Sequence, residues 1–187
     1  MTNSSYFLTA NRIGFRKWQT TDFHLAKKLW GDPAVTKLID TRGQLSDEQV
    51  QEKLDNEVAC NREYGVQYWP IFLLITDEHI GCCGLRPYDL NKNIYETGVH
   101  LKPQHWRKGY AVEAERGVIN YAFETMKVSA LFAGHNPENA VSRKVIMKLG
   151  FTYMRDEYYE PTGLMHPSYM LSREEWTTGK STGIHFK

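Results

Sequence analysis

The chain has few cysteines, no long apolar run and almost no net charge, and each shortage removes a class of protein. Three cysteines occur in 187 residues: Cys60, Cys82 and Cys83. An odd number, two of them adjacent, builds no disulfide framework, because neighbouring cysteines close only a rare, strained ring. No Cys-x-x-Cys or His-x-x-x-His spacing appears and the seven histidines are scattered, so no metal is expected. A reducing, cytoplasmic compartment is the expectation. The stretch MTNSSYFLTANRIGF holds no basic segment followed by an apolar one, so no secretory signal is read there. The longest purely aliphatic and aromatic run, Ile71 to Ile75, is far too short for a bilayer, and no membrane partner is expected.

Twenty-three Lys and Arg against twenty-two Asp and Glu leave a formal charge of +1. Nucleic-acid binders draw affinity from neutralising phosphates, so no direct nucleic-acid partner is expected. The hydrophobic share of 41% and charged share of 24% are those of an ordinary globular protein, long enough to bury a core in one domain. No repeat and no Pro- or Gly-rich linker divides it. Gly179-Lys180-Ser181 looks like half of a phosphate loop, but the motif's first glycine would fall at Glu174 and no strand precedes it.

Periodicity then places the elements. Ile13 to Trp18 reads as a strand, followed from Thr20 or Thr21 by a helix whose apolar face is Phe23, Leu25, Ala26, Leu29 and Trp30. Gly31-Asp32-Pro33 stops it, since proline cannot continue the ladder. Ser46-Asp47-Glu48-Gln49 is a capping box, and Val50, Leu54 and Val58 carry that helix to Gly65. Tyr68–Ile75 and Ile80–Leu85 read as a hairpin, and Ile94–Leu101 as a further strand. Gly109 to about Thr125 reads as a helix, Ser129–Gly134 as a strand and Asn139–Leu149 as a helix. Phe151–Tyr159 and Ser168–Leu171 are the last strands. Ser172-Arg173-Glu174-Glu175 opens a short closing helix, and a polar tail starts at Gly179. The order β-α-α-β-β-β-α-β-α-β-β predicts an α/β fold: a mixed sheet with helices on both faces.

Two segments carry chemistry. Trp106-Arg107-Lys108-Gly109-Tyr110-Ala111 leads from a strand into a helix whose first amides have no intrahelical acceptor and sit at the positive end of the dipole. Such an end suits a diphosphate, with Gly109 and Ala111 letting it approach and Arg107 and Lys108 adding charge. A basic loop that merely starts a helix would look the same. In Asn139-Ala140-Val141-Ser142-Arg143, Asn139 and Ser142 lie one helical turn apart and could read a linear polar ligand. Asn139 is equally an ordinary N-cap.

Together the two segments resemble the GNAT superfamily, in its RimJ/RimL-like branch. The first is similar to the branch's Trp-Gly-Lys-Gly-Tyr-Ala form of the pyrophosphate motif and reads Trp-Arg-Lys-Gly-Tyr-Ala here. The second matches Asn-x-x-Ser followed by Lys-Leu-Gly-Phe, here Lys148 to Phe151. The resemblance runs from Arg12 to about Trp176 and implies an acetyltransferase domain over residues 1–178, with 179–187 as tail. It further implies acetyl-CoA held by the amides of Arg107 to Ala111, with Trp106 opening the motif. Pantetheine would pair with Val99, His100 and Leu101 and touch Asn139, Ser142 and Arg143. An amide near Val99 would polarise the acetyl carbonyl.

The acceptor implied is a primary amine, on a protein N-terminus (possible ribosomal targets included) or on a small molecule. Glu96 is the expected base, on the strand leading to the acetyl site. The tyrosine that many relatives place four residues before the Gly-Phe glycine is Ile146 here. Ser142 and Tyr153 are the alternatives for protonating the thiolate. A non-catalytic acyl-CoA-binding module is the rival reading, and a homodimer through the late strands is an open expectation.

Overall fold

A computed structural model describes residues 6–182. Among the described residues, eight strands form one mixed sheet in the order β1-β2-β3-β4-β5-β6-β8-β7. They are β1 (Leu8–Thr9), β2 (Ile13–Phe15), β3 (Tyr68–Leu73), β4 (His79–Asp89), β5 (Ile94–Leu101), β6 (Ala130–Gly134), β7 (Thr152–Tyr159) and β8 (Leu164–Ser172). Every neighbouring pair is antiparallel except β5 with β6. Six α-helices accompany them among the described residues: α1 (Phe23–Trp30), α2 (Pro33–Thr36), α3 (Asp47–Tyr64), α4 (Tyr110–Asn120), α5 (Ala140–Lys148) and α6 (Arg173–Thr182).

The adjacent cysteines show how the sheet divides the interior. Successive strand residues face opposite ways, so Cys82 and Cys83 on β4 enter different cores. Cys82 packs with Trp18, Ala26, Leu29, Trp30, Val50 and Leu54, under α1 and α3. Cys83 packs with Phe15, Trp69, Leu85, Ala114, Val118 and Phe123, under α4. Ile146 and Leu149 of α5 and Trp176 of α6 join this second core. The expectation of helices on both faces therefore holds.

Local signals account for most boundaries. In the capping box of α3, Gln49 N–H donates to Ser46 Oγ at 3.3 Å and Ser46 N–H to Gln49 Oε1 at 2.9 Å. Gly65 ends α3 in the left-handed region at φ +73°. The second box, Ser172 with Glu175, starts α6.

The differences have physical reasons. Pro33 does stop α1, but with Asp32 as N-cap it also begins α2, the first-turn position where proline loses no hydrogen bond. The first strand ends at Phe15, not Trp18, and the two-residue β1 was too short to carry a pattern. The helix expected over 109–125 is α-helical only to Asn120; Tyr121–Met126 widens to π-helix, and Arg173 donates to Phe123 O and Val128 O there. β8 begins at Leu164 rather than Ser168 because it pairs along the whole of β7. α6 runs through Thr182, into the segment read as tail; residues 183–187 lie outside those described. Among the described residues, no helix is long and apolar enough to cross a membrane, and no His, Cys, Asp and Glu group could hold a metal ion.

Candidate active site

The parallel pair sets the geometry. β5 and β6 pair only from Ile94↔Ala130 to Glu96↔Phe132, whereas β5 stays paired with β4 as far as Leu101↔Gly81. Beyond Glu96 the two strands part, and the β6-facing edge of β5 opens onto a gap. Lys102 N–H donates to Ile80 O at 3.0 Å. Alternate residue pairs share the bonds of an antiparallel ladder, so Glu96, Gly98 and His100 direct their peptide groups at β4. Those of Val99 and Leu101 face the gap. Trp106 Nε1–H donates to Leu101 O at 2.7 Å. Of the three residues expected beside pantetheine, Val99 thus turns both N–H and C=O into the gap. An extended ligand could pair there as an added strand.

The start of α4 follows the end of β5 that has no pairing with β6. Its N-cap, Gly109, sits at φ +81° and has no side chain to bond the first amides. Those of Tyr110 and Ala111 are then available to an anion. A β-carbon on Gly109 would meet nothing nearer than Arg12 Nη2 at 3.7 Å, so backbone conformation and open space toward a ligand account for glycine here. Arg107 is also left-handed, at φ +59°. Two residues so turned within three fold the loop back on itself, and Trp106 ties it to β5 by the bond to Leu101. Trp106 is 44% exposed, a clasp on the loop rather than core.

Arg12 supports this loop. It donates from Nε to Glu113 Oε2 at 2.7 Å and from Nη2 to Lys108 O at 3.2 Å, and lies 4.4 Å from the Tyr110 ring centroid. No motif in the sequence pointed to Arg12; it is sequence-distant from everything it holds.

On the face under α3, Glu96 is half-buried and accepts a hydrogen bond from Tyr68 Oη at 3.2 Å. Burial raises its pKa, while Arg86 and the Tyr68 bond oppose the rise. Burial, with Glu96 beside it, also pushes the Tyr68 hydroxyl well above its ordinary pKa, so it keeps its proton. A β-carbon at Gly98 would overlap Tyr68 Oη, which explains glycine at that place. Arg86 forms an ion pair with buried Glu57 and lies 4.3 Å from the Tyr68 ring centroid. Glu57 also accepts from Tyr68 N–H at 2.8 Å.

Sequence reasoning missed Tyr68, Arg86 and Glu57. A signal did exist for Glu57: with Val50 and Leu54 it completes an i, i+4, i+7 stripe, a carboxylate on the apolar face of its helix. His100 is held by Trp30 Nε1–H, which donates to its Nδ1 at 3.2 Å, and burial drives its pKa well below 6.5. The imidazole is therefore neutral. Tyr159 is half-buried near Glu96, and at the rim Thr41 N–H donates to Pro161 O at 3.0 Å.

The opposite face holds Glu115 of α4, fully inside and bonded to Thr97 Oγ1 at 2.6 Å. Burial raises its pKa to about 7, against the bonds from Thr97 and Cys83.

α5 starts at the end of the loop that follows β6. Asn139 is its N-cap, its Oδ1 accepting Ser142 N–H at 3.0 Å, which leaves the side-chain NH2 to face a ligand. Ser142 is half-buried and Arg143 exposed. Ile146, at the usual tyrosine position, is buried in the core under α4. Tyr153 is exposed on β7, beyond β8 from the gap, with its hydroxyl donating to Asp156 Oδ1 at 3.1 Å.

The sequence and fold have known counterparts. The family model for the acetyltransferase (GNAT) domain matches residues 12–152. The chain is 30% identical over 168 residues to an uncharacterized N-acetyltransferase, p20, of Bacillus licheniformis, covering 88% of this chain and 94% of that one. The fold superposes on a GNAT-family acetyltransferase from Bacillus anthracis with a TM-score of 0.75 at 23% identity, over 89% of this chain and 98% of the other. A putative ribosomal-protein-serine acetyltransferase from Vibrio cholerae superposes with a TM-score of 0.72 at 16% identity, over 92% and 99%. The chain belongs to the GNAT acetyltransferase family, whose members use acetyl-CoA.

Proposed function

We propose that the protein is an N-acetyltransferase of the RimJ/RimL-like branch that moves the acetyl group of acetyl-CoA to a primary amine. The observation that carries this reading is the coincidence of three features at one end of the sheet. They are the parted β5 and β6, the uncapped start of α4, and a half-buried carboxylate, Glu96, on the strand bordering the gap.

The residues fit the group. Amides of Arg107 to Ala111 would take the diphosphate, and Val99 the pantetheine amides, with Leu101 N–H beside it and Asn139, Ser142 and Arg143 lining the other wall. Acetyl-CoA supplies an acetyl group already activated as a thioester. Everything else is the work of this chain. Val99 N–H points a donor at the place where negative charge develops on the carbonyl oxygen, a preorganised backbone dipole. Glu96 takes the proton that an ammonium must lose before its nitrogen can attack; a lysine-type amine, with a pKa of roughly 10.4, needs that help more than an α-amine. Tyr68 holds Glu96 in place through its hydroxyl. Because that hydroxyl spends its one proton on Glu96, it is a positioning residue. Ser142 is the residue left to protonate the departing thiolate.

Thiol release from acetyl-CoA across a panel of primary amines tests the reading. The acid limb of kcat/KM should lie above the ordinary carboxylate range, because burial raises the Glu96 pKa and activity falls as pH drops through it. Glu96→Gln should lower kcat by about 100-fold, within the usual span for a general base, and remove that limb. A variant with unchanged turnover and profile would take Glu96 out of the mechanism.

A further inference from the structure

The sheet face under α3 gathers four charged side chains around Gly98, and three have partners there. Glu57 and Arg86 form their ion pair, and Glu96 has the Tyr68 hydroxyl. Lys53 differs. It lies one turn before Glu57 on α3, half-buried, with Nζ 5.2 Å from the Trp30 ring centroid. Among the described residues, no carboxylate stands within ion-pair distance of it. Burial is the main cause pulling its pKa down, Arg86 adds to the pull, and Glu57 and Asp40 oppose it. An ammonium drawn out of water beside a guanidinium is unfavourable unless an anion joins it. His100, a neutral imidazole bonded to Trp30, brings no charge of either sign.

The position of Lys53 gives the missing anion a place. Trp30, which Lys53 covers, is bonded to His100, so Lys53 belongs to the His100 end of the strip. Glu96 stands at the other end. Glu96 and His100 lie four residues apart on one strand face, about 13 Å between α-carbons; Gly98 between them has no side chain to fill the interval, and the charge of Lys53 acts on both Glu96 and His100. Glu96, Gly98, His100 and Lys53 all keep some exposure, while Trp30, Leu54, Glu57, Tyr68 and Cys82 around them are buried. The strip therefore presents a carboxylate and an ammonium to one small ligand.

We infer that the acceptor is a small zwitterion, an α-amino acid or a close analogue, whose amine lies beside Glu96 and whose carboxylate pairs with Lys53. The inference rests on the acetyl-transfer reading and narrows its acceptor. A polypeptide N-terminus offers a neutral amide where the amino acid offers its carboxylate, and would leave Lys53 alone. A polyamine or aminoglycoside would bring more positive charge to Lys53 and Arg86.

The test compares matched acceptors: a panel of free L-amino acids, the corresponding L-amino-acid carboxamides, short peptides with blocked C-termini, and spermidine. Thiol release from acetyl-CoA is followed with the full chain. The expected result is at least one free amino acid preferred over its carboxamide by about 100-fold in kcat/KM, the scale of one partly buried charge pair. Lys53→Met, which keeps the packing on Trp30, should erase that preference by raising KM for the amino acid far more than for its carboxamide. Lys53→Arg should retain it. Calorimetry of the preferred amino acid binding to the CoA-saturated protein should show the same loss in Lys53→Met without any chemistry. Preference for blocked peptides or spermidine, or a Lys53→Met variant that discriminates like the wild type, overturns the zwitterion. Folded protein that releases no thiol above its amine-free background with any amine of the panel overturns the acetyl-transfer reading beneath it.

Discussion

At the scale of single residues, the most informative group is Glu115, because its hydrogen-bond partners count its protons. Thr97 Oγ1 lies 2.6 Å from Glu115 Oε2 and 3.1 Å from Gly84 O. One hydroxyl proton cannot serve both acceptors. If Glu115 is protonated it donates to Thr97 Oγ, the hydroxyl is free for Gly84 O, and every atom is satisfied. A pKa raised by burial to about 7, from an ordinary 4.5, says the same. The folded state then holds a proton that the unfolded chain gives up above about pH 4.5. Stability from this group is complete below that pH and is lost as pH rises through about 7. Glu115→Gln can donate to Thr97 permanently and accept from Cys83, so it escapes the loss. Melting temperatures measured between pH 5 and pH 8 should show the variant gaining on the wild type by about 5 °C across that interval. A constant difference would mean that Glu115 is ionised throughout. None of this could be read from the sequence. Glu115 sits inside a helix rich in charged residues, and only the packing of β4 and β5 reveals that it points inward.

At the scale of elements, the sequence was most legible where one segment contains its own cause. The capping boxes at Ser46 and Ser172, the glycine stop at Gly65 and the loop before α4 all depend on residues within a few positions of one another. The segments read for the site are local too: Val99 lies near the end of β5, Trp106 to Ala111 lead into α4, and Asn139 to Ser142 open α5. What could not be read depends on register. The occupied Leu101 carbonyl and Arg12 reaching across elements have no local signature. The cradle yields its own prediction. Acetyl-CoA or CoA at about a hundred times its dissociation constant should stabilise the protein by roughly 2.7 kcal/mol, raising the melting temperature by about 5–10 °C; ATP should not. Gly109→Asp puts a carboxylate at the uncapped amides, in a conformation that side chains other than Asn and Asp rarely adopt. It should abolish the shift while leaving the unliganded melting temperature within a few degrees of wild type, because nothing in the protein fills the space beside Gly109. A shift retained in Gly109→Asp would move the diphosphate elsewhere.

At the scale of the whole molecule, the question is whether the two cores divided by the sheet behave as one. Glu96 lies on the face under α3 and Glu115 on the face under α4, so a face that opened alone would admit water to one carboxyl and not the other. β4 links the cores: it pairs with both β3 and β5 and sends Cys82 into one core and Cys83 into the other. Both thiols are fully buried, and burial raises their pKa, so a reagent reaches neither while the fold is closed. Each thiol therefore reports the opening of its own side. In a Cys60→Ser background, Cys82→Ala and Cys83→Ala leave one reporter each, and a thiol reagent at pH 8 should label the two at the same rate, set by global unfolding. Saturation with acetyl-CoA at about a hundred times its dissociation constant should slow both by about 100-fold, since the ligand binds only the closed form. Faster labelling of Cys82, insensitive to acetyl-CoA, would show that α1 and α3 lift away from the sheet independently. Acceptor entry would then proceed by local opening rather than through a preformed strip between Glu96 and Lys53.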